Sequence, residues 1–189
     1  MRILPATASR RMPWANGLGS TVEIASDVES LDAPWTWRLS IADLPSRAEF
    51  SRFPSFDRWI ACLDGSGMRV ERGGVWSDVP PDGESLPFAG EESVIGEPLG
   101  AGVRDVNWFL LRDRWRGGMR VLRSGRCADV EGEIVLVHAA VGIGHKVTCE
   151  GHAIDLDEGC TLLAIGRVEV ERCSHGTLVL AWATNRIES

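Results

Sequence analysis

Short segments in which apolar and polar residues alternate recur along the whole chain, and almost none has the 3.6-residue period of an amphipathic helix. The clearest in the first part of the chain are 35–42 and 103–111. Beyond residue 118 they follow one another closely, at 120–123, 133–140, 145–149, 152–156, 161–165, 167–172 and 177–184. The turns between them are Gly-rich or acidic, which is typical of an antiparallel sandwich or barrel. The sequence therefore predicts an all-β protein.

Residues 112–118 form a charged connection that ends in glycine. This connection predicts a boundary between two halves, residues 1–115 and 116–189. A chain of 189 residues is long enough to bury a proper core. We expect each half to form one β-sandwich, the second more regular than the first.

Two strand-like runs, 58–63 and 68–72, are joined by Asp64-Gly65-Ser66-Gly67. Short apolar runs linked by such a Gly-rich turn are typical of a β-hairpin, so we expect these two strands to pair. Further on, Pro87 argues against a central strand at 85–90, because proline has no backbone N–H to donate to a neighbouring strand.

The overall charge and the cysteines limit the class of protein. The net charge of −7 argues against a nucleic-acid surface, since phosphate binding depends on clustered Lys and Arg. No run of 18 apolar residues and no signal-peptide pattern occurs, so we expect no membrane partner. The cysteines are odd in number and scattered, which predicts buried thiols in a reducing compartment and a cytoplasmic protein. They are Cys62, Cys127, Cys149, Cys160 and Cys173.

Among the basic residues only Lys146 is a lysine, and the other nineteen are arginines. Arginine forks suit carboxylates and phosphates, but a coding bias explains the same composition. Residues 11–24 hold a proline, a tryptophan and an asparagine followed by glycines, and then resume a strand pattern. This segment is either a structural turn whose Trp14 caps the core or the lip of a pocket.

Several polar and aromatic side chains of the first half suit a binding pocket. Period-two alternation places Arg38 with Ser40 on one strand face, and Asp105 with Asn107 on another. Arginine forks bind carboxylates bidentately, and Asn and Ser add orienting hydrogen bonds. The alternative is structural, with Arg38 or Arg58 paired to Asp57 or Asp105 inside the sandwich. The predicted ligand-binding residues are Trp14, Asn16, Arg38, Ser40, Phe50, Phe53, Arg58, Asp105 and Asn107.

Metal binding and nucleophilic catalysis have little support in the sequence. All four histidines lie in the second half, and no H-x-H pair occurs. His145 and His152 flank a predicted hairpin and could recruit Asp155, although exposed or hydrogen-bonded strand histidines explain them better. No G-x-S-x-G elbow and no adjacent Cys–His pair occurs. We therefore expect no metal, no cofactor and no catalytic residues.

Four blocks of the first 115 residues resemble the HutD/Ves family, in the family's order. They are Arg11-Met12-Pro13-Trp14-x-Asn16-Gly17-x-Gly19-x-Thr21-x-Glu23-Ile24, Trp37-Arg38-x-Ser40-x-Ala42, Phe50-Ser51-x-Phe53-Pro54-x-x-Asp57-Arg58 and Val103-Arg104-Asp105-x-Asn107. The resemblance implies a cupin-type fold, with two cupin-like halves, and small-molecule sensing or regulation in histidine utilisation. It assigns no reaction. Ala15 stands where the family usually has Lys, and Leu18 where it usually has a third Gly, and losing a cation here would change the ligand or its affinity.

The strand pattern predicts an all-β protein, and the resemblance implies that it is a bicupin, two cupin-like antiparallel sandwich or barrel halves packed as one unit. The leading functional hypothesis is a non-catalytic protein that senses a small carboxylated metabolite, such as one resembling formylglutamate. Arg58 is the favoured ligand contact, because it directly follows the loop of Phe50 and Phe53. The alternatives are a metal-independent isomerase or lyase with Asp105 or Glu23 as base, and an interaction module whose conspicuous surface is a homodimer interface.

Overall fold

The computed structural model describes residues 1–14, 19–28, 34–81, 84–173 and 175–186. These residues contain no α-helix, and their helical structure is one 3₁₀ turn, Ala6–Ala8. Every strand pairing between them is antiparallel. The prediction of an all-β protein is confirmed.

The chain divides into two compact units. The middle unit is Arg10–Arg114, and the end unit combines Met1–Ser9 with Trp115–Ser189. The sequence placed residues 1–9 in the first half, but strand β1 (Arg2–Leu4) pairs with β16 (Thr161–Arg172). A three-residue strand gains its hydrogen bonds wherever a longer strand leaves an open edge, and a local alternation pattern does not identify that edge.

The middle unit contains two sheets, of six and four strands. Their orders are β2-β3-β4-β11-β6-β9 and β5-β10-β7-β8. The strands are β2 (Arg10–Pro13), β3 (Ser20–Ser26), β4 (Trp37–Asp43), β5 (Ala48–Glu49), β6 (Phe56–Asp64), β7 (Met68–Arg72), β8 (Val75–Val79), β9 (Leu86–Ala89), β10 (Val94–Pro98) and β11 (Arg104–Leu111). Pro87 lies in β9, at the edge of its sheet, where a missing N–H costs no ladder bond.

A shared apolar core joins the two sheets of the middle unit. The six-stranded sheet contributes Ile60, Cys62 and Phe88, and the four-stranded sheet faces them with apolar side chains of its own. Those side chains are Met68, Val70, Val79 and Val94. Alternate residues of each strand therefore enter this core, while the residues between them point to the other face.

The hairpin predicted from 58–63 and 68–72 is wrong, although both strands exist. Strand β6 pairs with β9 and β11, whereas β7 pairs with β8 and β10 in the other sheet. Gly65 and Gly67 both have positive φ, +87° and +96°, so the connection turns the chain from one sheet to the other. Facing sheets bury the apolar sides of both strands, which a two-stranded hairpin cannot do.

The end unit is a seven-stranded sheet of order β12-β17-β13-β16-β14-β15, with β1 added beside β16. Its further strands are β12 (Trp115–Arg123), β13 (Ala128–Ile143), β14 (His145–Cys149), β15 (His152–Leu156) and β17 (His175–Asn185). The structure continues one strand, β16, through Gly166 (φ +87°), where the sequence predicted two. Residues 115–118, predicted as connection, begin β12.

No helix among the described residues has the length and apolar character needed to cross a bilayer.

Candidate functional site

Three neighbouring strands of the six-stranded sheet bring the polar residues of the middle unit into rows. In the register of β4, β11 and β6, Arg38 lies beside Phe109, which lies beside Arg58. The next row on the same face pairs Ser40 with Asn107, and the row after it pairs Ala42 with Asp105. Side chains of one face recur every second residue, so these rows share one face of the sheet.

A cavity of about 400 Å³ lies over this face. Its floor is formed by the rows of β4, β11 and β6, and residues 44–53 contribute much of its wall. This volume lies within the usual range for small-molecule sites. Eight of the predicted ligand-binding residues line it: Trp14, Arg38, Ser40, Phe50, Phe53, Arg58, Asp105 and Asn107. Asn16 lies outside the described residues.

Each guanidinium nitrogen of Arg58 donates a hydrogen bond inside the protein, and the residue is only 6% exposed. Its Nε and Nη2 donate to Oδ1 of Asn107 at 3.0 and 2.6 Å, and Nη1 donates to the carbonyl of Ser51 at 3.3 Å. The rings of Phe50, Phe88 and Phe109 lie 4.9–5.1 Å from its guanidinium carbon. Burial lowers the pKa of Arg58 to about 10, against the opposing effect of nearby Asp105.

Asp105 is the buried carboxyl of the cavity, with 2% of its surface exposed. Burial raises its pKa to about 6, although the charge of Arg58 and a hydrogen bond from Asn107 Nδ2 to Oδ1 favour the ionised form. The negative charge of Asp43 adds to the upward shift. Asn107 thus links the two charged groups, accepting from Arg58 and donating to Asp105.

Arg38 is the cation of the cavity that keeps unused hydrogen-bonding capacity. Its Nε is buried and has no hydrogen-bond partner among the described residues. Burial lowers its pKa, against the opposing charge of Glu23. The rings of Trp35, Phe109 and Phe53 lie 4.4, 4.9 and 5.3 Å from its guanidinium carbon. These rings hold the fork in place without satisfying its N–H groups.

Trp14 and Thr21 reach the cavity from the other end of the floor. Trp14 Nε1 donates to Thr21 Oγ1 at 3.0 Å, and both residues line the cavity. The Trp14 N–H also donates to the carbonyl of Gly19 at 2.9 Å, where β2 and β3 meet. A Cβ on Gly19 would lie 3.0 Å from the Trp14 ring, so glycine permits this close approach.

Sequence reasoning missed part of the cavity lining. Phe109 continues the alternation of Asp105 and Asn107, and that pattern could have identified it. Asp43 and Glu49 also line the cavity, but no local pattern indicates them. Asp43 accepts from the N–H and hydroxyl of Ser20, both at 2.9 Å. The other missed lining residues are Thr21, Ala42, Leu44, Ala48 and Ser51.

Glu23, the second base considered from the sequence, is tied to another partner. It is 4% exposed and forms an ion pair with Arg10, which lies opposite it in the β2–β3 ladder. Ser26 Oγ also donates to the Glu23 carboxylate at 3.1 Å. A carboxylate held by a guanidinium and a hydroxyl is better suited to stabilising the sheet than to accepting a proton.

Comparison with known proteins shows the family to which this chain belongs. The sequence matches the HutD family over residues 6–180. The chain belongs to the HutD family. A Pseudomonas putida protein, described as an uncharacterized 21.2 kDa protein in the hutC 3′ region, is 38% identical over 64% of this chain. That alignment covers 63% of the P. putida protein, just under two thirds of its length. Protein Ves of Cronobacter sakazakii is 36% identical over 68% of this chain and 72% of its own length.

Solved structures support the family and the fold. HutD from Pseudomonas fluorescens SBW25 has a TM-score of 0.75 and 27% identity, covering 98% of each chain. A cupin 2 conserved barrel domain protein from Leptotrichia buccalis has a TM-score of 0.52 and 10% identity, covering 96% of this chain and 88% of its own. The second likeness concerns the fold alone. This HutD-family chain is therefore cupin-like as well as all-β.

The residues of this HutD-family protein do not match the metal site of metal-binding cupins. The cavity lining contains no histidine, and no group of three His, Cys, Asp or Glu among the described residues could hold a metal ion. His145 is buried in the end unit, whereas His152 is exposed and contacts the Glu150 carbonyl at 3.0 Å. The two histidines lie at opposite ends of the β14–β15 ladder, so they do not face each other.

Folding brings together one Cys–His pair that the sequence does not show. Cys173 Sγ lies 3.7 Å from His145 Nδ1, and both side chains are fully buried. His145 Nε2 is 3.0 Å from the Val141 carbonyl, and the Cys173 thiol also lies 3.6 and 3.7 Å from the carbonyl oxygens of Gly176 and Leu122. Burial raises the pKa of the Cys173 thiol. A protonated, inaccessible thiol does not suit a nucleophile.

Proposed function

We propose that this HutD-family protein is a non-catalytic binding and regulatory protein that senses a small carboxylated metabolite linked to histidine utilisation. The observation that carries this proposal is Arg38, whose buried Nε has no partner among the described residues of a cavity of about 400 Å³. A buried N–H without an acceptor costs about 1–3 kcal/mol. Arg38 as a whole is half-buried and lines the cavity, so a ligand carboxylate would bind the guanidinium from the cavity side and offset the cost of the buried Nε–H.

The surroundings of Arg38 suit an anion. A carboxylate moved from water into a partly apolar cavity needs charge-assisted hydrogen bonds to offset its desolvation. The planar guanidinium can supply two parallel ones, and Ser40, two residues along β4, adds a hydroxyl on the same face. The aromatic rings around Arg38 fix the fork beforehand, which reduces the entropy lost on binding.

The family context suggests a pathway for this ligand. The P. putida relative is described by its position in the hutC 3′ region, and the P. fluorescens neighbour is itself named HutD. A metabolite of histidine breakdown with carboxylate groups, such as one resembling formylglutamate, has the chemistry that the arginines of the cavity would recognise.

The test is calorimetric titration of glutarate and N-formylglutamate into the wild type and into Arg38→Gln. Removing the fork should weaken binding about 30-fold or more, by analogy with truncated buried charge pairs. Arg167→Ala is the matched control, because Arg167 is an exposed arginine of the end unit, paired with Asp129 and Glu169. Equal affinity of Arg38→Gln and the wild type would contradict the proposed site, and no binding of either acid to the wild type would contradict the proposed ligand class.

Arg58 is a less suitable residue for this test, although the sequence favoured it. Arg58→Ala would leave the Asn107 carbonyl and the Asp105 carboxyl without their buried cation. A loss of binding would then have two explanations, a disturbed cavity and a lost ligand contact, and the experiment would not distinguish them.

One observation favours a second function, a metal-independent isomerase or lyase. Asp105 lines the cavity and burial raises its pKa to about 6, which suits a group that exchanges protons near neutral pH. Turnover of a bound acid, followed by proton NMR and abolished in Asp105→Asn, would favour this enzyme over the sensor. Saturable binding without turnover would favour the sensor.

The bicupin arrangement predicted from the sequence also remains a proposal. Its support is that both units are antiparallel β-structure and that the whole chain resembles a cupin barrel protein. Superposing a solved cupin domain on each unit separately tests it. A unit that fails to align would contradict the arrangement.

A further inference from the structure

We propose that the cavity takes a ligand with two unlike ends, a carboxylate at Arg38 and a protonated amine or other N–H donor at Asp105. This inference rests on the proposed function, because it specifies the ligand of the same cavity. It adds a second recognition element, which would separate amino acids and amidino acids from simple dicarboxylates of the same length.

The positions of the charges along the floor are the first argument. Arg38 and Ala42 are four residues apart in β4, about 13 Å at roughly 3.3 Å per residue, and Asp105 lies opposite Ala42. The basic row and the acidic row are therefore at different ends of the cavity. Ser40 and Asn107 form the neutral polar row between them.

Like charges occur together at each end, and among the described residues the one opposite charge acting on Arg38, that of Glu23, is already paired with Arg10. The charge of Arg38 disfavours the ionised form of Arg58 and contributes, after burial, to lowering its pKa. At the other end the charge of Asp43 contributes, after burial, to raising the pKa of Asp105. Asp105 is also attracted to Arg58, but that attraction does not overcome the effect of burial. A ligand with an anion at one end and a cation at the other would relieve both repulsions.

The hydrogen bonds of Asp105 leave room for a ligand donor. Among the described residues Asn107 is its hydrogen-bond donor, through Nδ2 to Oδ1. A carboxyl group offers two oxygens, and Asp105 lines the cavity while only 2% of its surface is exposed. A buried carboxylate gains more from a charged donor than from water, because the surroundings screen the interaction weakly.

The aromatic wall indicates what the ligand carries next to its carboxylate. Phe50, Phe53 and Phe109 line the cavity near the basic row. Rings of this kind favour methylene groups or a flat unsaturated spacer over further polar atoms. The expected class is thus a short ω-amino or ω-amidino carboxylic acid.

The test compares glutarate with 4-aminobutanoate, which replaces one carboxylate by an ammonium at nearly the same length. Each is titrated at pH 7 into the wild type, Arg38→Gln and Asp105→Asn. The wild type should bind 4-aminobutanoate more tightly than glutarate. Arg38→Gln should weaken both, whereas Asp105→Asn should weaken only 4-aminobutanoate, roughly 10-fold or more, and leave glutarate equal or tighter.

A second measurement needs no variant. Titrating the wild type near pH 6 in buffers of different ionisation enthalpy reports the protons exchanged on binding. An ammonium beside Asp105 should release a proton from this carboxyl, and the second carboxylate of glutarate should cause uptake, because unlike charge lowers and like charge raises its pKa.

The outcomes separate this inference from the proposed function. Arg38-dependent binding in which glutarate equals or exceeds 4-aminobutanoate, or in which both exchange protons in the same direction, overturns the two-ended ligand and leaves the carboxylate sensor standing. Binding of neither acid by the wild type removes both proposals.

Discussion

Arg38 and Arg58 occupy one cross-strand row on either side of Phe109, yet they differ in their partners. Arg58 uses Nε, Nη1 and Nη2 within the protein, while the Nε of Arg38 has no partner among the described residues. The difference arises from Asn107, whose amide is oriented by Asp105 so that its carbonyl oxygen faces Arg58. We therefore propose that Arg58 positions the cavity and that Arg38 is the arginine that contacts a ligand.

This assignment predicts unequal stability costs for the two arginines. Arg58→Gln should lower the free energy of unfolding by about 3 kcal/mol or more, because it leaves the buried carboxylate of Asp105 without its neighbouring cation. Arg38→Gln should cost clearly less, since no protein acceptor loses its donor. Urea denaturation at pH 7 measures both. Equal costs would show that Arg38 has a structural role comparable to that of Arg58.

The raised pKa of Asp105 predicts that the free energy of unfolding depends on pH. Its pKa rises from 3.8 to about 6 on folding, so between these values the native state holds the proton more tightly than the unfolded chain. The stability that this group contributes is present below about pH 4 and is lost as the pH rises to about 6. Asp105→Asn cannot ionise at this position. The free energy of unfolding of the variant relative to the wild type should therefore increase by about 3 kcal/mol as the pH rises across that window.

Melting temperatures of the wild type and Asp105→Asn between pH 4 and 7 measure the effect. Asp129→Asn, an exposed carboxylate of the end unit, serves as the control and should follow the wild-type curve. Parallel curves for Asp105→Asn and the wild type would contradict the prediction.

At the scale of elements, strand β10 supports the cavity from behind Phe50. Gly96 pairs with Ala48 of β5 and Val70 of β7, and a Cβ built on it would lie 2.3 Å from the Phe50 ring. Phe50 lines the cavity and lies 5.0 Å from the guanidinium carbon of Arg58. The missing side chain of Gly96 therefore fixes where this ring can lie.

Gly96→Ala should displace the Phe50 ring and lower the free energy of unfolding by about 1–3 kcal/mol, as overpacked sites do. It should also weaken binding of a cavity ligand, because the ring contacts Arg58. The double variant Gly96→Ala with Phe50→Ala removes the clash, so the glycine substitution should cost much less in that background. Additive costs in a thermal denaturation cycle would contradict the proposed contact.

At the scale of the whole molecule, the end unit is assembled from both ends of the chain. Its residues 1–9 precede the middle unit, and β1 adds three cross-strand pairs to β16, with Leu4 opposite Thr161. Leu4 is 8% exposed, so β1 contributes apolar burial as well as hydrogen bonds.

Deleting residues 1–9 should lower the free energy of unfolding by about 2 kcal/mol, the value of burying one leucine side chain. It should also leave part of the β16 edge unpaired and increase aggregation on heating. Ile3→Thr is the control, because Ile3 is 49% exposed and its loss should change stability little. Unchanged unfolding of the shortened chain would show that β1 is not part of the end unit's stable structure.

The sequence by itself determined where many of the strands lie and which of their side chains share a face. Alternation placed Arg38 with Ser40 and Asp105 with Asn107, and all four line the cavity. It predicted the bounds of β14 and β15 as the structure has them. A side-chain period of two is a local property of the backbone, so it can be read without knowing which strands pair.

Only the tertiary structure decided which strands are neighbours and which polar groups satisfy one another. It places β6 and β7 in different sheets and residues 1–9 in the end unit, and it pairs Arg58 with Asn107 by hydrogen bonds. It also brought Asp43 to the cavity and His145 to Cys173. These choices depend on burial shared between segments far apart in the chain, and the free energy of that burial exceeds any local turn preference.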